Sequence, residues 1–389
     1  MVLYGLGTTI GAGIYALIGE IAGVAGYGAP LSFLIASVLA GFTACTFAEL
    51  AGRFPRAAGA ALYVQRGFNS VRLAQLVGLL VVLTAVVSSA AIVNAFSGYV
   101  QVFFPVDRVW VVMVVVPLIG LLAAWGIAES VIAAALITIV EVGGLLLVVA
   151  VGVDAFAALP DRLPEFLPGS ASAPWAGLVF GVMLAFYAFI GFEDMVDVAE
   201  EVKNVRITLP RAIVLTLAIT TVIYALLMTS ALLALPPEAL QASSAPLATL
   251  YEVHTGRSPT IIGLIALFAI VNGALIQMIM GARVLYGLAS RGQLPALFAR
   301  VNARTRTPLL ATLAISLLVL LFALWGRLAG LAMLTSELML VIFALVNLSL
   351  WRIRRREISP PATLHFHPLV PLTGFLLSSA FLIRGFFEL

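Results

Sequence analysis

Long apolar segments separated by short polar stretches run through the whole chain. Eleven of them are long enough to cross a hydrocarbon core about 30 Å thick as helices, which takes roughly 20 residues each. The predicted spans are 2–24, 30–51, 73–100, 110–126, 130–153, 174–198, 210–234, 259–285, 308–325, 328–350 and 366–387. This pattern predicts an all-α integral membrane protein with about eleven transmembrane helices.

The first span combines its apolar character with four glycines between residues 5 and 13. The ten residues before Gly11 rise about 15 Å as a helix, which is half of the hydrocarbon core. Glycine weakens a helix, so we expect a break near the middle of the membrane. The backbone groups freed by a break need a partner, and a bound solute is one candidate. Close helix packing is the alternative interpretation of these glycines.

Composition supports the membrane assignment. The 389 residues are 62% hydrophobic and only 10% charged, with a mean hydropathy of +1.15. A soluble domain cannot bury that much apolar surface. The lone Cys45 allows no internal disulfide, and three scattered histidines form no convincing metal site. The sequence therefore predicts neither a metal nor a cofactor, and no affinity for nucleic acid.

Basic residues predict the orientation of the chain. Most of the 21 arginine and lysine residues lie in the 52–72 loop and after the sixth, eighth and tenth predicted spans. The positive-inside rule makes these loops cytoplasmic, which puts the N-terminus inside. We expect a multi-pass protein of the plasma (inner) membrane, in contact with its lipids. The first segment lacks a basic n-region and is expected to be a span, not a cleavable signal.

Ten of the spans divide into two sets of five. Because five is odd, the second set must enter the membrane from the opposite side, which predicts an inverted repeat. The expected units are 1–153 for the first repeat, 174–350 for the second, and 351–389 for a basic loop with an extra helix. The first helices of the two sets should correspond, and both carry a mid-span glycine, Gly11 and Gly191. Paired interruptions of this kind point to a substrate site in a secondary transporter.

Five short motifs carry a resemblance to a known family. They are Gly-Thr-Thr-Ile-Gly-Ala-Gly-Ile-Tyr (7–15), Phe-Ala-Glu-Leu (47–50), Phe-Ile-Gly-Phe-Glu (189–193), Glu-Glu-Val-Lys-Asn (200–204) and Arg-Val-Leu-Tyr-Gly-Leu-Ala (283–289). Together and in this order they resemble the amino acid–polyamine–organocation permeases. The resemblance implies a five-plus-five inverted-repeat transporter fold with broken helices 1 and 6. It also implies transport of amino acids or related amines.

The resemblance places the substrate carboxylate at the break in span one. There it would meet the backbone N–H groups of Gly11, Ala12 and Gly13, and unpaired amides at a helix start favour an anion. Many relatives have a hydroxyl at the middle position. Ala12 supplies none, so one carboxylate hydrogen bond is missing at that position.

The break in span six is expected to receive the substrate ammonium. Its carbonyl acceptors would be those of Tyr187, Ala188 and Ile190. The rings of Tyr187 and Phe189 are candidates for gating the site or for cation–π contact. The alternative for each ring is ordinary packing in a membrane helix.

Glu141 lies in the middle of span five. Some sodium-independent relatives have a lysine at about this place, which is implicated in proton coupling. A carboxyl group inside a membrane is costly unless it is partnered or protonated, and it is therefore suited to carry a proton. We hypothesise that Glu141 is the proton-coupling group; a hydrogen-bonded structural glutamate is the alternative.

Three further acids are gating or pathway candidates. Glu193 and Asp197 lie at helical spacing in the second half of span six, with Arg53 or Arg56 as suggested partners. Glu337 lies in the middle of span ten and is interpreted as pairing with a substrate cation or a polar neighbour, or as facing a water-filled vestibule.

The sequence thus predicts a secondary active transporter of amino acids or amines, coupled to protons and working by alternating access. An amino acid or polyamine exchanger is one alternative. A sensor that binds an amino acid without transport, or a channel, is an alternative from another class. An enzyme is not expected, because no nucleophile or metal motif appears.

Overall fold

The computed structural model describes residues 1–55, 59–126, 131–169, 172–356 and 364–388. In these ranges the regular structure is entirely helical. The α-helices are α1 Val2–Ala25, α2 Ala29–Arg53, α3 Gly59–Phe68, α4 Val71–Gln101, α5 Arg108–Trp125, α6 Val131–Val151, α7 Leu159–Arg162, α8 Ser172–Phe189, α9 Val205–Ala234, α10 Pro237–Ala242, α11 Pro246–Thr255, α12 Thr260–Ser290, α13 Leu309–Trp325, α14 Leu328–Arg356 and α15 Leu369–Glu388. Short 3-10 segments cover Gly26–Gly28, Val153–Ala158, Leu163–Phe166, Phe192–Glu201 and Ala296–Ala299.

A helix occupies each of the eleven segments predicted to span the membrane. Seven stretches of the described chain are long and apolar enough to cross a membrane, counting Val2–Arg53 as one run. A bent pair, Ala135–Val151 with Val153–Phe166, meets the same criteria as a unit, and Leu309–Trp325 and Leu369–Gly385 are shorter apolar helices. The membrane-protein class is thereby confirmed, whereas the count of eleven crossings stays a prediction.

Polar side chains define several helix ends. The Ser70 hydroxyl accepts a hydrogen bond from the Leu73 amide at 3.2 Å and starts α4. The Asp107 carboxylate accepts from the Val109 amide at 2.8 Å and starts α5. Such caps satisfy amides that have no partner within their helix.

Helices that are far apart in the sequence pack side by side. α1 packs against α8, α2 against α9, α4 against α12, and α5 against α13. In addition, α1 contacts α6, and α8 contacts α14. The two helices predicted to be interrupted, α1 and α8, therefore lie together at the centre of the bundle.

The 52–72 region differs from a simple loop, because residues 59–68 form α3. This helix packs against α14, α4 and the Phe192–Glu201 segment. Arg53 is one of the two suggested partners of the acids of span six. It binds Glu49 at 2.8 Å, and Arg354 of α14 binds the same carboxylate. Arg56, the other suggested partner, lies outside the described residues.

Candidate functional site

Helix α1 is interrupted at Gly11. This residue has φ −34° and ψ −132°, whereas the residues on both sides are helical. The ψ rotation turns the peptide unit between Gly11 and Ala12 away from the helix axis. A Cβ built on Gly11 would have nothing within 4 Å. The interruption therefore borders open space inside the protein, since Gly11 and Ala12 are themselves buried.

The second interruption lies where α8 ends at Phe189 and the Phe192–Glu201 segment begins. The Ile190 amide donates to the Tyr187 carbonyl at 3.1 Å and closes the turn. Gly191 has φ 125°, a conformation that L side chains rarely adopt. A Cβ there would lie 2.2 Å from the Thr8 carbonyl oxygen. Only glycine lets the two interrupted helices approach this closely.

Hydroxyl groups join the two interruptions. The Thr8 hydroxyl donates to the Gly191 carbonyl at 2.9 Å. The Tyr224 hydroxyl of α9 lies 3.1 Å from the Thr9 carbonyl oxygen and 3.0 Å from that of Ala188. One O–H group is thus shared between a carbonyl of each interrupted helix. These contacts supply partners for backbone groups that the helix breaks would otherwise leave unsatisfied.

A small central cavity lies between these interruptions, with a volume of about 30 Å³. Helices α1, α4, α8 and α12 line it with Gly7, Thr8, Thr9, Gly11, Ala12, Gly13, Ser88, Ile92, Tyr187, Ile190, Gly273, Ile276 and Gln277. That volume holds about two water molecules. An amino acid needs more room, so α1, α8 or α12 must shift to admit one.

Five of the residues predicted to bind substrate line the central cavity: Gly11, Ala12, Gly13, Tyr187 and Ile190. Gly13 also serves packing, because a Cβ there would lie 3.0 Å from the Ala188 Cα. The backbone of α1 beyond its break thus touches α8 directly.

Ala188 and Phe189 do not line the cavity. The Ala188 carbonyl faces the Tyr224 hydroxyl, and the Phe189 ring is fully buried. Its centroid lies 5.3 Å from that of Tyr224 and 6.3 Å from that of Phe33. In this conformation Phe189 has a packing role, which is the alternative interpretation of its ring.

Sequence reasoning missed two polar groups of the cavity wall, the threonine hydroxyls of α1. The hydroxyls of Thr8 and Thr9 precede the α1 break directly, and the buried Thr9 hydroxyl has no hydrogen-bond partner among the described residues. Adjacent threonines before a pair of closely spaced glycines are the signal that could have found them. Ser88 of α4 also lines the cavity, and its hydroxyl pairs with the Tyr187 hydroxyl at 3.0 Å.

Glu141 lies behind α1 and does not line the central cavity. It is almost fully buried, and the Asn272 side-chain amide of α12 lies 3.4 Å from its Oε1. The Tyr15 hydroxyl donates to the Glu141 backbone carbonyl at 2.8 Å. Asn272 is the neighbour of Gly273, which does line the cavity, so Glu141 is one residue removed from the site.

The acids of span six lie beyond the second interruption. Glu193 Oε2 accepts a hydrogen bond from the Gly191 amide at 2.9 Å, so this acid stabilises the turn itself. Asp197 lies beside Gly59 of α3, where a Cβ would be 3.0 Å from its Oδ1. It also interacts electrostatically with Arg283 of α12.

Glu337 is not part of this site. It lines a separate lateral cavity between α8, α14 and α15. Of the three gating candidates, Glu193 is therefore hydrogen-bonded to the turn at Gly191, and Asp197 lies further along the same segment. Glu337 lies in a different cavity from the predicted substrate site.

Comparison with known proteins agrees with this architecture. The family model described as "Amino acid permease" matches residues 2–389. The chain is 30% identical over 378 residues to the Arabidopsis thaliana protein named "Cationic amino acid transporter 2, vacuolar", covering 91% of this chain and 59% of that protein.

Two other relatives come from animals and bacteria. The chain is 30% identical to "Cationic amino acid transporter 4" of Homo sapiens, covering 96% of this chain and 62% of the relative. It is also 30% identical to an uncharacterised transporter of Mycobacterium tuberculosis, covering 96% of this chain and 82% of the relative. The chain spans 59% to 61% of the length of three of its plant and mouse relatives.

Proposed function

Because the chain belongs to the amino acid permease family, we propose that it transports amino acids across a membrane by alternating access. One observation carries the proposal: the interruptions of α1 and α8 meet at a single cavity lined by Gly11, Ala12 and Gly13 on one side and by Tyr187 and Ile190 on the other. Interrupted helices that face each other in a bundle are the usual site of secondary transporters.

The two sides of the cavity suit the two charges of an amino acid. The rotated peptide unit at Gly11 and the helix start that follows it offer amides to the carboxylate. The carbonyl groups around Tyr187 and Ile190, at the end of α8, face the ammonium. The Thr9 hydroxyl, which has no partner among the described residues, supplies the hydroxyl contact that Ala12 lacks.

The small volume of the cavity supports alternating access. The cavity has a volume of about 30 Å³, and an amino acid fits only after the helices separate. The α1 interruption is the place for that movement, since open space adjoins Gly11. We propose that this conformation is a contracted state of the transport cycle.

A two-fold relation between the repeats 1–153 and 174–350 accounts for the packing. Each of the first four spans of one set contacts its counterpart in the other, as α2 contacts α9 and α4 contacts α12. The α1–α6 contact has its counterpart in α8–α14. These reciprocal contacts support an inverted repeat, with the N-terminus cytoplasmic as the basic loops predict.

The substrate we propose is a cationic amino acid, because this is what the plant and mammalian relatives are named for.

We propose Glu141 as the proton-coupling group. It is buried beside Asn272, the neighbour of the cavity-lining Gly273, so a change in its charge is felt at the cavity wall. The location is proposed to be the plasma membrane; a vacuolar membrane is the alternative that the plant relatives' names suggest.

Uptake into proteoliposomes tests these proposals. We expect saturable uptake of labelled arginine or lysine that accelerates when the outside is acidic, and counterflow when the inside is preloaded. Glu141→Gln should retain counterflow and lose the acceleration by a pH gradient. Glu20→Gln, a change at the half-buried acid of α1, is the matched control and should keep both.

Each alternative gives a different result. Uptake that requires an internal amino acid identifies an exchanger, and linear uptake without counterflow identifies a channel. Thermal stabilisation by an amino acid without any flux identifies a sensor. Unchanged pH-driven uptake in Glu141→Gln would remove this residue from the coupling mechanism.

A further inference from the structure

Five arginines lie where α3, the start of α4 and the end of α14 meet. This arginine patch consists of Arg66 of α3, Arg72 of α4, and Arg352, Arg355 and Arg356 of α14. No step of the proposed transport cycle uses it.

Close packing of α3 on α14 brings the arginines of these helices together. A Cβ on Gly67 would lie 2.6 Å from the Ser349 Cα. The Arg352 Nε donates to the Gly67 carbonyl at 3.1 Å, and Arg66 is the residue before that glycine. Phe68 lies under the Arg352 guanidinium and precedes Arg72 by one turn of chain. The patch is therefore built from three helices and not from one basic run.

No carboxylate neutralises the arginine patch. Among the described residues, none of its five members forms an ion pair. Helices α3 and α4 contain no acidic residue, and the one acid of α14, Glu337, is about 22 Å of helix away from Arg352. Asp197 lies beside Gly59, at the opposite end of α3 from the patch. An uncompensated group of positive charges attracts anions.

Aromatic rings hold three of the guanidinium groups in place. The guanidinium carbon lies 4.7 Å from the ring centre of Phe68 for Arg352, 3.7 Å from that of Trp351 for Arg355, and 5.8 Å from that of Phe54 for Arg66. A ring covers the face of a guanidinium and leaves the N–H groups at its edge available. Such a planar fork of donors matches the oxygens of a phosphate group.

The surface next to the patch suits acyl chains. Helix α4 carries an exposed face with Arg72 at its beginning, and the side chains that follow on this face are leucines: Leu76, Leu79 and Leu83. Their spacing of three or four residues puts them in one row along the helix. Because α4 is a membrane-spanning helix, this row faces lipid. A positive group at the end of an apolar row favours a phospholipid over a free phosphate ion.

We propose that the arginine patch binds the phosphate of an anionic phospholipid, whose acyl chain lies along the leucine row of α4. The lipid belongs to the leaflet on the side that the basic loops predict to be cytoplasmic. Helix α3 also contacts the Phe192–Glu201 segment, which follows the turn at Gly191. A lipid bound here therefore braces a helix that adjoins the α8 interruption. The proposal does not depend on which solute is transported.

Thermal-shift measurements on the purified full chain in detergent test the proposal, with dioctanoyl phosphatidylglycerol as the probe. We expect concentration-dependent stabilisation, whereas dioctanoyl phosphatidylcholine and inorganic phosphate at equal concentrations should stabilise little. Replacing two exposed, unpaired members of the patch by Arg355→Gln with Arg356→Gln should weaken the apparent affinity for phosphatidylglycerol at least fivefold.

A second pair of exposed arginines gives a control with the same loss of charge. Arg300→Gln with Arg304→Gln changes another basic loop and should leave the affinity within twofold of wild type. Arg72→Gln, which alters the patch from α4, should weaken the affinity at least twofold and serves if the first pair does not fold. Equal effects of the two double variants would show attraction to net charge alone and overturn the proposal. Equal stabilisation by phosphatidylcholine or by inorganic phosphate would overturn it as well.

Discussion

The two helix interruptions at the centre of this protein are built differently. At Gly191 the backbone has φ 125°, and side chains from three directions hold the turn. Thr8 donates to the Gly191 carbonyl, Glu193 accepts from the Gly191 amide, and Tyr224 donates to the carbonyl of Ala188. At Gly11, by contrast, a Cβ would have nothing within 4 Å, so the backbone there borders open space.

For the proposed substrate site, this difference favours distinct tasks for the two interruptions. The α8 interruption is fixed by hydrogen bonds and by the requirement for glycine, so it is suited to be a preorganised receptor for the ammonium. The α1 interruption has room beside it, so its backbone is able to rearrange around a carboxylate. With the α8 interruption fixed and the α1 interruption able to rearrange, the small cavity can open while the α8 side keeps its geometry.

The strongest test of the fixed interruption is Gly191→Ala. The added Cβ would lie 2.2 Å from the Thr8 carbonyl oxygen, at a φ that alanine rarely adopts. We expect destabilisation of about 3 kcal/mol or more from strain and overpacking combined, and loss of uptake. Thermal unfolding and proteoliposome uptake measure the two effects.

Gly256→Ala is the matched control for that substitution. Gly256 also has a positive φ, 63°, but a Cβ there has nothing within 4 Å. It should lose about 1–2 kcal/mol from backbone strain alone and retain uptake. Equal behaviour of the two variants would show that close approach of the helices does not matter at Gly191.

A smaller effect is expected from Tyr224→Phe. The change removes the hydroxyl shared by the Thr9 and Ala188 carbonyls while the ring keeps its packing on Phe33. Leaving buried carbonyls without this donor costs about 1–3 kcal/mol. We expect a lower unfolding temperature and roughly tenfold slower uptake, since about 1.4 kcal/mol corresponds to a factor of ten.

Tyr99→Phe separates the role of the interruptions from the general loss of a buried hydroxyl. The Tyr99 hydroxyl donates to the Tyr15 carbonyl at 3.1 Å, within a continuous part of α1. This variant should lose comparable thermal stability and retain uptake. If both variants transport equally, the hydroxyl that joins the two interruptions has no special function.

The positions of the helices and of both interruptions follow from the sequence. Apolar runs of spanning length can satisfy their backbone in a bilayer only as helices, so the segments are predictable. Glycine at corresponding positions of two sets of five spans then locates the breaks at Gly11 and Gly191. Both predictions depend on local chemistry and segment counting, which a single sequence contains.

The directions of individual side chains do not follow from the sequence. Phe189 is expected at the substrate and instead packs on Tyr224, because the turn at Gly191 sets the rotation of α8 through its contacts with α1. Tyr224 carries no signal, since a single tyrosine in an apolar helix has many possible roles. Glu337 lies in the middle of its helix as expected, but tertiary packing directs it to the lateral cavity.

The mildest substitution, Gly11→Ala, tests the adaptable interruption. Alanine favours a continuous helix over glycine by about 1 kcal/mol, so it should oppose the rotated peptide unit at Gly11. Because a Cβ there meets nothing within 4 Å, the protein should fold normally. We expect the apparent substrate affinity to fall about fivefold, which corresponds to about 1 kcal/mol. Gly287→Ala, in the continuous helix α12 with equal open space, is the control and should leave affinity unchanged. An equal effect of the two substitutions would mean that general helix stiffness, and not the α1 interruption, limits substrate binding.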